Sequence, residues 1–113
     1  MRLKSAIWVA AYVRRCYVEG ASAVVRRRGA EEAGAIFVKI SRLDDTAALF
    51  APAPQASFDE SHPADRRFVS SIKGGFVNDP DVEARILREI EFDSDLWLVE
   101  VEDRQGRDFL DLI

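Results

Sequence analysis

One histidine, His62, is the side chain in this sequence best suited to acid–base chemistry. It lies in the segment ASFDESHPADRR beside Asp59, Glu60 and Asp65, and a neighbouring carboxylate raises the pKa of an imidazole toward neutrality. A metal site would need further ligands, and the sequence offers neither a second histidine nor a spaced set of cysteines. We therefore interpret His62 as a solvated loop residue and expect no bound metal and no cofactor.

The single cysteine, Cys16, is the second candidate for chemistry because Arg14 and Arg15 precede it. Nearby guanidinium groups lower the pKa of a thiol and make it a better nucleophile. A lone cysteine within an apolar segment is more often a small buried hydrophobe, and on a strand only Arg14 would share its face. We favour the buried interpretation. One cysteine also excludes an internal disulfide and suits a reducing, cytoplasmic compartment.

The most prominent basic feature of the sequence is a set of five arginines. Arg26, Arg27 and Arg28 could line a phosphate-binding track together with Arg14 and Arg15. Residues 1–42 carry nine Lys or Arg against three Asp or Glu, whereas residues 43–113 carry seven against seventeen. The net charge is −4, and a small nucleic-acid binder usually has a basic balance. The charge separation therefore favours attraction between the two halves or across a dimer, with nucleic-acid binding as the alternative.

The carboxylates near the end of the chain are dense enough to suggest a cation site. They are Glu89, Glu91, Asp93, Asp95, Glu100, Glu102 and Asp103. Their spacing does not match that of a calcium-binding loop. We interpret them as a solvated face, with Glu100 and Glu102 paired to arginines of a neighbouring strand.

The chain has 113 residues, 48% of them hydrophobic, which predicts one domain over 1–113 with a core that needs no disulfide or metal. The apolar stretch from Ala6 to Val13 is too short for a signal sequence or a membrane span. We expect a cytoplasmic protein without membrane contact. Residues 51–65 are rich in proline and predict a long loop, and residues 103–113 predict a tail whose apolar end docks on the body or on a partner.

Local patterns predict two elements before residue 30. Half of the residues in 5–18 are β-branched or aromatic, which favours a strand, with a helix as the alternative. Residues 19–28 end in three arginines before Gly29, as expected at the end of a short helix.

Alternating apolar residues predict further strands at 35–41, 46–50, 68–72 and 96–102, with Asp44 and Asp45 forming the turn of a hairpin. A helix is predicted over 78–92, with Asp79 as its cap, Pro80 at its first position and an apolar stripe at Val82, Ile86 and Ile90. The fold class is α+β, with one largely antiparallel sheet of about four to five strands and two helices packed on one face. The other face would carry Lys39, Glu100 and Glu102 toward water or a partner.

Several long segments resemble a known family. They are RLKSAIWVAAYVRRCYVEGASAVVRRRGAEEAGAIFVKI, APAPQ, ADRRF and EARILREIEFDSDLWLVEVEDRQGR, which together extend from Arg2 to Arg107. This pattern is similar to that of small, mainly alphaproteobacterial proteins known only as a domain of unknown function. The resemblance implies a bacterial cytoplasmic protein of one domain, and it brings no catalytic residue, cofactor or activity to this chain.

Three functions remain open from the residues. We favour a non-catalytic module that self-associates or binds another protein, because charge is segregated and no catalytic set is complete. The first alternative is nucleic-acid or nucleotide binding through the five arginines. The second is a small enzyme that uses His62 or Cys16.

Overall fold

The computed structural model describes residues 3–54 and 66–113. In chain order its elements are α1 (Ser5–Val18), β1 (Ser22–Arg27), β2 (Ile36–Ser41), β3 (Thr46–Pro52), β4 (Phe68–Ser70), β5 (Val77–Asn78), α2 (Asp79–Phe92) and β6 (Trp97–Glu102). His62 and most of the predicted loop at 51–65 lie outside the described residues. Neither helix in the described ranges is long and apolar enough to cross a membrane.

The described strands form one sheet in the order β1-β6-β2-β3-β4, with β5 also paired to β3. Four of the pairings are antiparallel, and β2 with β6 is the parallel one. The predicted α+β class, the largely antiparallel sheet and the hairpin of β2 and β3 are therefore confirmed. The strand count was predicted too low, because the described ranges contain six strands.

Residues 5–18 form a helix, so the strand preferred from the sequence was wrong and its alternative was right. The buried side chains Ser5, Val9, Tyr12 and Cys16 recur at helical spacing, and they cover the sheet. Tertiary burial of this stripe outweighs the weak β preference of the isolated residues. The helix ends at Val18, and Gly20 follows the cap residue Glu19 with a φ of +88°. The Ala21 amide donates to the Cys16 carbonyl at 2.9 Å.

Residues 22–27 form a strand, so the short helix predicted over 19–28 was wrong. β1 pairs antiparallel with β6 and carries a register shift between Val25 and Arg27. Gly29 was predicted to stop that helix, but its role is steric. A Cβ at this position would overlap the backbone of Asp95 and Leu96, so only glycine allows the two segments to approach.

The two helices lie on opposite faces of the sheet, which corrects the prediction that both pack on one face. Trp97, Val99 and Val101 of β6 cluster with α1. Leu98, between them, clusters with Val82 and Ile86 of α2. Alternate residues of a strand point to opposite faces, so the sheet is covered on both sides.

The second helix begins at Asp79 rather than using Asp79 as its cap. Asn78 occupies the cap position and makes no side-chain cap hydrogen bond among the described residues, and Pro80 lies in the first turn as predicted. The Asp79 amide donates to the Asp45 carbonyl at 2.9 Å. The Asp79 side chain is therefore available to the sheet, where it pairs with Lys39.

The tail docks on the body of the protein. The Phe68 amide of β4 donates to the Asp111 carbonyl at 2.8 Å, and the Ile113 amide donates to the Phe68 carbonyl at 3.0 Å. Phe109 and Leu110 pack against the core on the α1 side. The tail thus covers the β4 edge, while β1 is the outer strand at the other edge.

Candidate interaction surface

The first helix is held to the body by its N-terminal end. The amides of Ser5 and Ala6 donate to the carbonyls of Glu32 and Glu31, each at 3.0 Å, which satisfies donors that a helix otherwise leaves without partners. The Ser5 hydroxyl donates to the Gly34 carbonyl at 2.7 Å. These contacts set the position and the rotation of α1 on the sheet. They therefore determine which side chains of α1 face outward.

The outer face of α1 is largely apolar. Residues four and three apart lie on one side of a helix, which places Ile7, Ala11, Arg14 and Val18 opposite the buried stripe. Ile7 is 52% exposed and Val18 is 77% exposed. Ala10 and Tyr17 border this line, and Tyr17 is 58% exposed. We call Ile7, Ala10, Ala11, Arg14, Tyr17 and Val18 the α1 outer face.

Arg14 and Arg15 carry the charge of this helix, which contains no carboxylate. Both are exposed, and within the described ranges neither forms an ion pair or a side-chain hydrogen bond. Arg15 also borders an open groove that Trp8 and Phe109 line. Trp8 is held there by stacking on Tyr12, with ring centroids 4.9 Å apart. Basic charge therefore adjoins exposed apolar surface on this side of the molecule.

The other three candidate arginines lie on β1 or just beyond it, and they point to different partners. Arg26 donates to Glu83 at 2.8 and 2.9 Å and to Glu100 at 3.0 Å. Arg27 donates to the Ser94 carbonyl at 2.7 Å. Arg28 lies over the Trp97 ring, 5.0 Å from its centroid. The pairing predicted between Glu100 and an arginine of a neighbouring strand is present, because β1 lies beside β6. The pairing predicted for Glu102 is not found among the described residues.

The strongest cluster of charges lies under α2 and is centred on a buried lysine. The sequence analysis did not predict this cluster. Lys39 is 4% exposed, and its Nζ lies 2.6 Å from Asp79 Oδ1 and 2.6 Å from Glu83 Oε2. Burial opposes the charge of Lys39, but the hydrogen bonds to Asp79 and Glu83 outweigh it and raise its pKa. Lys39 was expected to face water or a partner, and instead α2 covers it.

The carboxylate of Glu83 links this lysine to β1. Hydrogen bonds from Arg26 in the first place, and from Lys39, lower the pKa of Glu83 to about 2 against the opposing effect of burial. Two cations and three carboxylates thus neutralise most of one another's charge. We assign this cluster to the docking of α2, since a charged, doubly paired ammonium is a poor nucleophile.

Cys16 lies on the buried face of α1 and is fully buried, as the preferred interpretation expected. Burial raises the pKa of its thiol and outweighs Tyr12 and Arg15, which lower it. Burial also raises the pKa of Tyr12, whose hydroxyl donates to the Asp108 carbonyl at 2.6 Å. Both side chains therefore face the core and the tail rather than a reactant.

His62 lies outside the described residues. Within 3–54 and 66–113 there is no group of three or more His, Cys, Asp or Glu side chains placed to hold a metal ion.

Two signals in the sequence pointed to what was missed. Lys39 stands alone in an otherwise apolar strand, and Asp79 and Glu83 are four residues apart beside the inward Val82. Carboxylates on the inner face of a helix indicate a buried cation opposite. The outer face of α1 gave no such signal, because its residues are apolar on every side of the predicted strand.

Comparison with known proteins gave matches to solved structures and to one family. A DUF1491 family protein from Caulobacter crescentus, determined by crystallography, is 35% identical and has a TM-score of 0.79, covering 100% of this chain and 99% of its own. A solution structure of a protein from A. tumefaciens is 41% identical with a TM-score of 0.81, covering 100% and 96%. An NMR structure of a DUF1491 family protein from C. crescentus is 38% identical with a TM-score of 0.78, covering 100% and 98%. The comparison with curated proteins found no match.

The family model matches residues 3–111 and is described as a protein of unknown function (DUF1491). The resemblance to a domain of unknown function is thereby confirmed over nearly the whole chain. Together with the two structures that carry the same family name, this match shows that the chain belongs to the DUF1491 family.

Proposed function

We propose that this protein is a non-catalytic interaction module that binds a protein partner through the α1 outer face. The carrying observation is the line of exposed apolar side chains at Ile7, Tyr17 and Val18 on a helix with no carboxylate. Scattered exposed apolar residues are ordinary, but several of them grouped on one face of one helix are typical of an interface. A helix in a globular protein normally turns charged residues to water on this face.

The remaining charge of the described structure supports the same surface. Arg26, Arg27 and Arg28 have partners within the chain, and Lys39 is enclosed. Arg14 and Arg15 keep their charge directed to solvent beside the apolar stripe. Tyrosine and arginine, which this surface presents at Tyr17, Arg14 and Arg15, are residue types enriched at binding hot spots.

The test is affinity capture from native lysate at low and high salt with the tagged protein and two variants. Ile7→Asp combined with Val18→Gln removes two exposed apolar side chains, and Asp in the first turn of a helix is well tolerated. Leu87→Asp is the matched control, because Leu87 is 63% exposed on α2 on the opposite face. A partner that is retained by the wild type and by Leu87→Asp, and lost with the α1 variant, supports the proposal.

Circular dichroism must first show that all variants are equally folded. Capture that is identical for the wild type and the α1 variant would exclude this surface as the binding site.

Nucleic-acid or nucleotide binding is a second candidate, and the solvent-directed Arg14 and Arg15 favour it. Nucleic-acid binding would differ from protein binding in its salt dependence. Salt cations compete with the arginines for the phosphates, so binding weakens steeply as the salt concentration rises. Anisotropy titrations against labelled single-stranded and duplex probes at low salt test it. Binding that Arg14→Gln with Arg15→Gln abolishes would support this candidate, and flat titrations would remove it.

The proposed compartment is the reducing cytoplasm. The support is the single, fully buried Cys16 and the absence of a second cysteine that could form a disulfide within the chain. Cell fractionation followed by immunoblotting of the native protein tests this placement.

A further inference from the structure

We infer that the occupant of the α1 outer face is an amphipathic helix of another protein that carries carboxylates, an inference that rests on the proposed function. Three properties of this face support it: the spacing of its apolar residues, the small side chains at its centre and its charge.

The spacing of the α1 outer face is that of a helix-packing seam. Ile7, Ala11, Arg14 and Val18 alternate steps of four, three and four residues, the rhythm with which one helix presents side chains to another. A straight row of this kind forms a ridge flanked by grooves, and the side chains of a second helix can pack into those grooves. The shape of the face therefore suits a helical occupant.

The side chains at the centre of the α1 outer face are small. Ala10 and Ala11 are both exposed and stand between the larger side chains of Ile7 and Val18. Packed helix axes lie roughly 8 to 10 Å apart depending on the side chains between them, and small residues at the crossing point favour the short end of that range. The large side chain of a partner helix can therefore enter above the alanines, between the two aliphatic ends.

The positive charge of the α1 outer face favours a partner that carries carboxylates. Arg14 lies in the middle of the stripe, so an occupant that covers the apolar ends also covers the guanidinium. A buried guanidinium without a counter-charge is costly, whereas a carboxylate opposite it forms a two-pronged hydrogen-bonded pair. Arg15 at the edge of the face adds attraction of the same sign.

A second copy of this chain fits less well. Two α1 helices packed together would cover both Arg14 side chains, and α1 contains no carboxylate to pair with either. The acidic helix α2 could supply carboxylates, but it lies on the opposite face of the sheet. Contacts from α1 of one copy to α2 of the next would be head-to-tail and would build a ring or a filament rather than a two-fold dimer.

The probes are two labelled synthetic peptides of three heptads, about 21 residues, with Leu at the a and d positions. One carries Glu at every e and g position, and its twin carries Lys. Anisotropy titrations at low salt are run with the wild-type chain, with Arg14→Glu and with the Leu87→Asp control. We expect the Glu peptide to bind the wild type at least about tenfold more tightly than the Lys peptide, in line with the coupling measured for close interfacial charge pairs.

The decisive measurement uses the variant in which the charge of residue 14 is reversed. Arg14→Glu should reverse the preference toward the Lys peptide, whereas Leu87→Asp should leave it unchanged. Ile7→Asp should weaken the binding of the Glu peptide about tenfold or more by removing an apolar end of the seam.

Several outcomes overturn the inference. No binding, or equal affinity for both peptides, would exclude an acidic helix as occupant. A dimer mass in sedimentation equilibrium that Ile7→Asp abolishes would identify a second copy. Binding to phosphatidylglycerol vesicles that Ile7→Asp abolishes, without a peptide preference, would identify a membrane surface. If capture from lysate depends on the α1 outer face while the peptides fail, the proposed function stands and the helix inference fails.

Discussion

Lys39 on β2 and Glu83 on α2 form an ion pair of 2.6 Å that joins the centre of the sheet to its second helix. Apolar contacts from Val82 and Ile86 provide the rest of this attachment, with Ile90 partly buried beside them. The pair also fixes which side of α2 faces the sheet, because Arg26 and Asp79 complete the charge balance around it. The following predictions test this pair and the packing around it.

Replacing Lys39 by Ala should lower the free energy of unfolding by about 2 to 3 kcal/mol. Removing one member of a buried pair costs roughly 3 to 5 kcal/mol when the remaining charge is fully buried and uncompensated. Without Lys39, Asp79 loses its cation and Glu83 keeps only Arg26. Here Asp79 and Glu83 are about a third exposed, so water offsets part of that cost. Urea denaturation followed by circular dichroism measures the change. The control is Lys73→Ala, an exposed lysine whose loss should cost almost nothing. Equal midpoints for the two variants would contradict the role given to Lys39.

Acid should weaken the protein through Glu83. Its pKa in the folded state is lowered to about 2, chiefly by hydrogen bonds from Arg26, while its usual value is 4.5. The carboxylate therefore contributes stability that is fully present above about pH 4.5 and is lost as pH falls toward 2. Glu83→Gln should be less stable than the wild type at pH 7, and the gap should narrow between pH 4.5 and 2. Urea midpoints across this range measure it, and a gap that stays constant would show that Glu83 does not titrate in this way.

Gly29→Ala should destabilise the fold by about 2 kcal/mol or more. The added methyl group would overlap the backbone of Asp95 and Leu96, which cannot rotate away as a flexible side chain would. Gly20→Ala is the comparison, because its positive φ costs about 1 to 2 kcal/mol while the space around it is open. Thermal unfolding of both variants should show the larger loss at Gly29. The reverse order would mean that β1 and β6 are joined differently.

The Cys16 thiol should react slowly with a thiol reagent in the folded protein. It is fully buried and its pKa is raised by that burial, so little thiolate is present or accessible. In urea the same thiol should react at the rate of a free cysteine. The absorbance of the chromophore that the reagent releases gives the rate in the folded protein and the rate in urea. Rapid labelling of the folded protein would place Cys16 at the surface and revive its candidacy as a nucleophile.

Part of the fold followed from local sequence alone. The α2 helix was predictable from Pro80 and the stripe of Val82, Ile86 and Ile90, because start signals and periodicity agreed there. The β2 and β3 hairpin followed from alternation around an Asp-rich turn. These elements were accessible because each carries its own period and its own boundary residues.

The α1 and β1 segments were assigned the wrong way round for a physical reason. Residues 5–18 are apolar at nearly every position, so no face stands out until the sheet selects Val9, Tyr12 and Cys16 for burial. The arginines after Val25 suited a helix end, but β1 is an edge strand whose charged residues can reach partners on both faces of the sheet. Local propensity is weak where burial decides the outcome.

The sequence by itself determined the composition of this protein, its charge separation, its lone cysteine, the α+β class and the position of α2, because those properties are carried by single residues or short periods. Only the tertiary structure decided that the helices cover opposite faces, that Lys39 is enclosed by carboxylates, and that α1 turns an apolar face outward. These features depend on which strands become neighbours and which side of each helix they bury. Such choices are made by long-range packing, which a local pattern such as the lone Lys39 in β2 can indicate but does not decide.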